Sequence, residues 1–145
     1  MREEHWVSIA LTSHEQYLDL LKKLKGKTAY IVIVQINGED DEDEIIANAN
    51  TCMQLIEKRS VNKWLGTKTR GRRAVQFCYR KEDSFFRFLS TYPSFFFNRR
   101  DRWGCDEVEY TDFGTDDIAF LDDAQTPLFF TTTHEGYANI VSSIL

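Results

Sequence analysis

The stretch Ala29-Tyr30-Ile31-Val32-Ile33-Val34 decides the fold of this chain. Four β-branched residues follow one another in it, and an unbroken apolar run of this length is typical of a strand that is covered on both faces. Asn37-Gly38, which follows closely, has turn chemistry and ends the run. We therefore predict that this stretch is the central strand of a sheet.

Helices are predicted on both sides of this strand in the sequence. Residues 6 to 11 alternate in the manner of a strand, and two overlapping capping boxes in residues 12 to 16 then predict a helix that Gly26 ends. After the central strand, six consecutive acids at 39 to 44 precede apolar residues at helical spacing that continue to Ile56. Acids stabilise a helix N-terminus through its dipole, so a second helix is expected there.

The middle of the chain predicts a basic hairpin. Strands are expected at 61–65 and 74–80, separated by the polar connector 67–73, which places a glycine where a hairpin turn favours one. A short helix over Phe85 to Leu89 should end before Pro93.

The last third of the chain predicts further short strands at 108–110, 118–121 and 128–132. The last two are separated by turn residues, which favours an antiparallel hairpin. Residues 137–145 are predicted to be a weak terminal helix or tail.

The order of these elements, β-α-β-α-β-β-α-β-β-β, mixes helical crossovers with hairpins. It favours an α+β or mixed α/β fold with a single mixed sheet and helices packed mainly on one side. A length of 145 residues suits one core, and no repeat or Pro/Ser-rich linker marks a boundary. We expect a single globular domain over residues 1–145.

Composition narrows the class of protein. The start of the chain is polar and acidic, unlike a secretory signal, and no apolar run is long enough to span a membrane. Cys52, Cys78 and Cys105 are far apart and form no C-x-x-C pair, which fits reduced thiols better than disulfides or a zinc site. We expect a cytoplasmic protein without a cofactor or metal.

Charge is sorted into blocks along the chain. Residues 58–102 contain thirteen Lys and Arg against three acids, whereas residues 103–145 contain nine acids and no Lys or Arg. Residues 1–57 contain five basic residues against eleven acids. Such segregation governs partner choice and association rate more than it governs the fold.

The basic hairpin, residues 58–81, suggests nucleic-acid binding as one alternative. Basic side chains would contact phosphates while aromatic rings stack on bases. The candidate residues are Lys68, Arg70, Arg72, Arg73, Arg80, Trp64 and Tyr79. A net charge of -5 disfavours a dedicated nucleic-acid binder, and the simpler interpretation is that basic and acidic segments meet within one molecule or across a homodimer.

Two motifs are incomplete. Residues 66–73 have P-loop glycine spacing but lack the lysine and hydroxyl pair, and a strand follows where the motif requires a helix. His134-Glu135 begins like a zinc-protease helix, yet Ala138 replaces the second histidine. His134 remains a candidate acid or base of a small hydrolase or metal-dependent enzyme, with Glu135 and with Asp116 or Asp117 to orient it.

Two C-terminal segments, residues 112–120 and 128–137, resemble short uncharacterised bacterial proteins, some of which carry the label stage III sporulation protein AH. The segments read Asp-Phe-Gly-Thr-Asp-Asp-Ile-Ala-Phe and Leu-Phe-Phe-Thr-Thr-Thr-His-Glu-Gly-Tyr. The resemblance implies a bacterial origin and assigns no activity to any residue.

The leading hypothesis is a non-enzymatic bacterial protein that binds another protein through charged surfaces. An immunity, antitoxin-like or regulatory role fits, because acidic surfaces capture basic partners through electrostatic steering. The acidic run 39–44 or the stretch 106–117 would face that partner.

Overall fold

A computed structural model provides the fold, with side chains. It describes residues 6–9, 13–35, 44–64, 67–68, 74–92, 95, 116–132 and 137–144. The helices are α1 (His14–Lys25), α2 (Glu44–Cys52) and α3 (Asp83–Leu89), and a 3-10 turn spans Ser142–Ile144. The strands are β1 (Trp6–Ser8), β2 (Tyr30–Gln35), β3 (Gln54–Val61), β4 (Lys63–Trp64), β5 (Thr67–Lys68), β6 (Ala74–Arg80), β7 (Asp117–Leu121), β8 (Pro127–Thr132) and β9 (Tyr137–Val141).

Seven strands form one sheet in the order β1-β9-β8-β7-β2-β6-β3. The prediction of a central strand is confirmed, because β2 is hydrogen-bonded to β7 on one side and to β6 on the other. Ile31 and Ile33 are fully buried on one face, whereas Val34 is buried on the opposite one. Strands β4 and β5 form a separate two-stranded hairpin.

All pairings among the described strands are antiparallel, whereas the sequence favoured a mixed sheet. The reason lies in the strand order. Helix α1 joins β1 to β2, and α2 joins β2 to β3, and each of these pairs runs in the same direction. Other strands lie between the members of each pair, so that crossovers exist but no parallel neighbours result.

The described part of the chain buries one large apolar cluster. Tyr17, Leu20, Leu21 and Leu24 of α1 share it with apolar residues of α2 and α3 and with alternate residues of the strands. Two buried hydroxyls fix helices in place: that of Tyr17 donates to the carbonyl oxygen of Leu89 in α3, and that of Tyr79 on β6 donates to Oδ1 of Asn50 in α2 at 2.8 Å.

The helix predicted to extend to Ile56 ends at Cys52, which corrects the sequence prediction. Residues 54–61 pair with β6 instead, and Ile56 lies at a register shift in β3 with 48% of its surface exposed. The predicted strand 61–65 is correspondingly divided between the end of β3 and the short β4. The basic hairpin therefore exists, with an earlier and longer first strand.

The prediction of a terminal helix or tail over 137–145 is also wrong for its first part. Residues 137–141 form β9, which pairs with β8 on one side and β1 on the other. Hydrogen bonds to both strands satisfy the backbone of β9, and the pairing with β1 joins residues more than 130 positions apart, which no local sequence signal indicates. The predicted strand at 108–110 lies outside the described residues.

Among the strands of the seven-stranded sheet, Lys and Arg are confined to one end of the strand order, whereas the acidic residues 39–43 and 106–115 lie outside the described part of the chain. Strands β3 and β6 form one end of the strand order and carry Lys58, Arg59 and Arg80. The sequences of β1, β9, β8, β7 and β2 contain no Lys or Arg. The basic strands β3 and β6 and the C-terminal strands β7 to β9, whose single acid is Asp117, therefore belong to one sheet, with β2 between them.

Truncation of Phe120 should cost a large part of the stability. Its fully buried ring lies 5.6 Å from Phe86, 6.2 Å from Phe95 and 5.7 Å from Phe129, measured between ring centroids. Phe120→Ala should lower the free energy of unfolding by about 3–5 kcal/mol in urea denaturation, because the cavity cannot collapse among rigid rings.

The matched control is Leu18→Ala on the exposed side of α1, where 38% of the side chain is exposed. It should change stability by less than about 0.5 kcal/mol. A loss below about 1 kcal/mol for Phe120→Ala would contradict this assignment of the core.

Candidate functional site

The site begins with Trp64, which the β4–β5 hairpin carries onto one face of the sheet. Trp64 is 9% exposed and forms a small second apolar cluster with Val34 of β2 and Ala74 of β6. Val32 and Val61 pack against this cluster. We call this side of the sheet, which carries Val32 and Val34, the groove face; it lies opposite to Ile31 and Ile33.

The indole of Trp64 is hydrogen-bonded to a buried carboxylate. Its Nε1–H donates to Oδ2 of Asp117 at 2.9 Å. Asp117 is 3% exposed and lies directly across from Val34 in the register between β7 and β2. A buried hydrogen bond of this kind restrains both side chains, so the Trp64–Asp117 pair fixes the hairpin against the sheet.

A groove of about 190 Å³ opens beside this pair on the groove face. Its walls are mainly apolar and come from β2, β4, β6, β7 and β8 and from the turn between the last two. The lining residues are Val32, Val34, Trp64, Gln76, Asp117, Ile118, Ala119, Leu121, Gln125, Pro127, Phe130 and Thr131. Asp117 is the only ionisable residue among these described lining residues.

Strand register places the middle of the groove. Val32 of β2 lies across from Ala119 of β7, and Ala119 lies across from Phe130 of β8. The small side chain of Ala119 thus lies between two larger ones and leaves space above the sheet. This depression is what the groove occupies.

The turn between β7 and β8, residues 122–126, forms one end of the groove. Hydrogen bonds within this turn stabilise it. The carboxylate of Asp122 accepts from the backbone N–H of Ala124 at 2.9 Å and from that of Thr126 at 2.8 Å. Gln125 has a φ of 63°, in the left-handed region that glycine or asparagine favours. The turn therefore offers a preformed wall.

An aromatic rim continues the groove face toward the β1 edge. The Phe130 ring contacts the Trp6 ring edge to face, with centroids 4.9 Å apart. Trp6 is 41% exposed. Exposed aromatic residues beside a groove are typical of protein-binding surfaces.

Among the residues predicted to bind nucleic acid, the structure describes the side chains of Tyr79, Trp64 and Arg80. Tyr79 is fully buried beneath α2, so its ring cannot stack on a base in this conformation. Trp64 keeps only the small exposed area that faces the groove. Arg80 is exposed, with its guanidinium 5.8 Å from the ring centroid of Tyr30. Lys68 lies on β5, and the predicted contacts Arg70, Arg72 and Arg73 lie outside the described residues.

The predicted catalytic candidates are only partly described. Asp116 and Asp117 are both buried, and Asp117 holds the Trp64 indole. His134 and Glu135 lie outside the described residues. Within the described ranges, no group of three or more His, Cys, Asp or Glu side chains is placed to hold a metal ion.

Sequence reasoning missed the groove residues Val32, Ala119 and Phe130. The available signal was period-two alternation, which places Ala119 on the face opposite to Ile118 and Phe120. Their convergence depends on strand neighbours that are far apart in sequence, so that only the sheet order reveals the groove.

Cys78 lies two residues after the groove residue Gln76 on β6, on the same face of the sheet, and is half-buried. Burial raises the pKa of its thiol above the usual 9.0, Glu57 raises it further, and Arg59 lowers it. This thiol is therefore less ionised at neutral pH than an exposed one, which argues against a nucleophilic role.

Comparison with known proteins identifies no family. No family model, no curated protein and no solved structure matches the chain. The resemblance of residues 112–137 to short bacterial proteins therefore stays a prediction. None of the helices in the described ranges combines the length and apolarity needed to cross a membrane.

Removing the donor of the Trp64–Asp117 pair should destabilise the protein. Trp64→Phe keeps most of the ring packing but leaves the buried carboxylate without the indole N–H. We expect a loss of about 1.5–3 kcal/mol in the free energy of unfolding measured in urea. Asp117→Asn is the matched variant, because its amide oxygen can still accept from Trp64, and it should cost less. Equal stability of Trp64→Phe and the parent protein would show that this hydrogen bond does not hold the hairpin.

The pKa of Cys78 predicts a pH profile for alkylation. The rate of iodoacetamide modification at Cys78, followed by peptide mass mapping, should have its midpoint above 9.0 in the folded protein and near that value in urea. Because the folded state holds the thiol proton more tightly, the corresponding stability is present below pH 9.0 and is lost as pH rises through the folded pKa.

Two charge variants test the cause of this shift. Glu57→Gln should lower the midpoint, whereas Arg59→Gln should raise it. A midpoint that is the same in folded protein and in urea would contradict the assignment.

Proposed function

We propose that this chain is a non-enzymatic binding module that docks another protein on the groove face of its sheet. The observation that carries the proposal is the groove itself, with an aromatic rim at Trp6 and Phe130 and one buried carboxylate in its lining. A partly apolar surface with aromatic residues and a fixed polar group is the usual composition of a protein interface.

The strand order supports a groove face that the helices leave open. The connections through α1 and α2 move in the same direction across the sheet, from β1 to β2 and on to β3. Since crossovers between parallel strands are nearly always right-handed, both helices are expected on the same side. Their buried residues also join one cluster with Ile31 and Ile33, whose side chains are opposite to the groove face. We accordingly propose one domain with its helices mainly on one side.

The charge distribution favours a basic partner. The groove adjoins β7 and β8, which come from the part of the chain that has no Lys or Arg. A partner rich in arginine or lysine would be attracted to this half of the sheet and repelled by the β3–β6 edge, so that the field would orient it. An immunity, antitoxin-like or regulatory role in the cytoplasm fits this physics.

The test is affinity capture from a lysate of the source cells, with a variant in which the groove is filled. Ala119→Leu places a larger side chain in the middle of the groove, while Leu18→Ala, on the exposed side of α1, serves as the matched control. A specific protein should be retained at about 50 mM salt by the parent protein and by Leu18→Ala, and should be largely released at about 500 mM salt. Ala119→Leu should not retain it.

The outcomes separate the hypotheses. Retention of the same protein by Ala119→Leu, or retention of none by the parent protein, would overturn the proposal. Nuclease treatment of the lysate distinguishes the nucleic-acid alternative, which the basic block 58–102 favours, because capture that depends on nucleic acid would then disappear.

A further inference from the structure

We propose that two copies of this chain form a symmetric dimer by pairing their β3 strands antiparallel, so that the two sheets join into one. This dimer would form whatever the groove binds, and it therefore goes beyond the proposed function. Three features of β3 carry the inference: its exposure, the order of the charges along it and the symmetry that those charges allow.

The edge strand β3 is exposed along its length. It lies at one end of the strand order, and among the described strands its one hydrogen-bonded neighbour is β6. Residues 54 to 60 are all exposed, and Leu55 and Ile56 are 40% and 48% exposed. An edge strand directs the N–H and C=O groups of every second residue away from its neighbour, and such a row can accept a further strand. β3 thus offers both backbone groups and apolar side chains to another strand.

The lengths of the two edges favour pairing between two copies of β3. β3 has eight residues, whereas β1, at the other end of the described sheet, has three. Contact of β3 with β1 of another copy would be limited to three residues and would leave a free edge at each end, so that fibres would grow. Two β3 strands related by a two-fold axis use the same edge of both copies, and the assembly closes as a dimer.

Symmetry and charge together restrict the register. A two-fold axis that makes neighbouring strands antiparallel stands perpendicular to the sheet and passes between two copies of the same residue. A pairing centred on Glu57 would oppose two carboxylates, and one centred on Arg59 would oppose two guanidinium groups. A pairing centred on Lys58 instead places Glu57 of each copy directly across from Arg59 of the other.

The side chains of Glu57 and Arg59 are already arranged for this register. They lie two residues apart on the groove face, they are 55% and 61% exposed, and Nε of Arg59 is 3.2 Å from Oε1 of Glu57. In the dimer two such pairs would form a network of four charges with alternating signs. Exposed charges of this kind select a register more than they add affinity, which the backbone hydrogen bonds and the apolar side chains would supply.

The two copies of Lys58 would meet on the opposite face of the sheet, and like charges directly opposite each other are unfavourable. Within each copy, however, Nζ of Lys58 lies 5.3 Å from the centroid of the Phe77 ring, which is directly across from it on β6. This cation–π contact draws the ammonium group toward its own sheet and away from the second copy. The repulsion at the axis is therefore reduced.

Such a dimer would carry two grooves on one side. Because the axis is perpendicular to the joined sheet, the groove faces of both copies point in the same direction. A partner with two contact sites would then bind more tightly than a partner with one, because its second contact would be intramolecular.

Sedimentation equilibrium of the full-length protein, from micromolar to millimolar concentration, tests the dimer. We expect a monomer–dimer equilibrium with a Kd of about 1–100 µM, because the interface between two such strands is small. Glu57→Arg and Arg59→Glu should each raise this Kd about tenfold or more, since each places like charges across from one another. Asp19→Arg makes the same change of charge as Glu57→Arg on the exposed side of α1, and it should change the Kd less than about twofold.

Mixing the two β3 variants distinguishes a lost contact from a folding defect. Glu57→Arg has two cations at these positions and Arg59→Glu has two anions, so each variant alone should be largely monomeric. An equimolar mixture should form a heterodimer about as tight as the parent dimer, because opposite charges again lie across from one another. The double variant Glu57→Arg/Arg59→Glu should dimerise with itself for the same reason.

Four results would overturn the proposal. The first is a parent protein that stays monomeric throughout the concentration range, and the second is a mixture of the two β3 variants that forms no heterodimer. The third is association that continues beyond the dimer, because it would contradict closure by a two-fold axis. The fourth is equal weakening by Glu57→Arg and Asp19→Arg, which would place the contact elsewhere.

Discussion

The structure depends on the need to cover both faces of β2. Ile31 and Ile33 are covered by the large cluster that includes the three helices, and their burial is complete. Val34, on the opposite face, is covered by Trp64, whereas Val32 beside it is only half-buried. One apolar face of β2 is therefore fully buried, whereas the other is buried only in part. The groove lies where this second face is left uncovered.

The Trp64–Asp117 pair explains why this partial cover stays in place. The β4–β5 hairpin has two residues in each strand, which is too short for independent stability. Its attachment to the sheet therefore relies on the burial of Trp64 against Val34 and Ala74 and on the bond to Asp117. The same two side chains that hold the hairpin also form one wall of the groove, so that stability and the shape of the site are linked there.

Much of the fold could be predicted from local sequence. The β-branched run at 29–34 indicated the central strand, and the capping residues placed α1. The sheet order could not be predicted, because the antiparallel strands that separate β1 from β2 come from the other end of the chain. The same limit applied to β9, whose hydrogen-bonding partners β1 and β8 include the strand farthest from it in sequence.

Sequence reasoning assigned the two central residues of the candidate site to different functional hypotheses. Trp64 was a candidate for stacking on bases and Asp117 a candidate for orienting His134, and 53 positions separate them. The structure joins the two in a single hydrogen bond, which neither hypothesis contained. Trp64 is 9% exposed and packs against Val34, so most of its ring is covered within the fold.

A carboxylate at position 117 is not what folding alone would favour. Ala119 and Leu121, on the same face of β7, are apolar, and an apolar residue at 117 would continue their pattern without the cost of burying a charge. Buried charges are often no more stabilising than apolar residues of similar volume, even when they are well paired. The Trp64 indole offsets part of the desolvation cost, but it would pack against Val34 without any carboxylate. The carboxylate nevertheless accepts a hydrogen bond that ties the short β4–β5 hairpin to β7, which an apolar residue at 117 could not do.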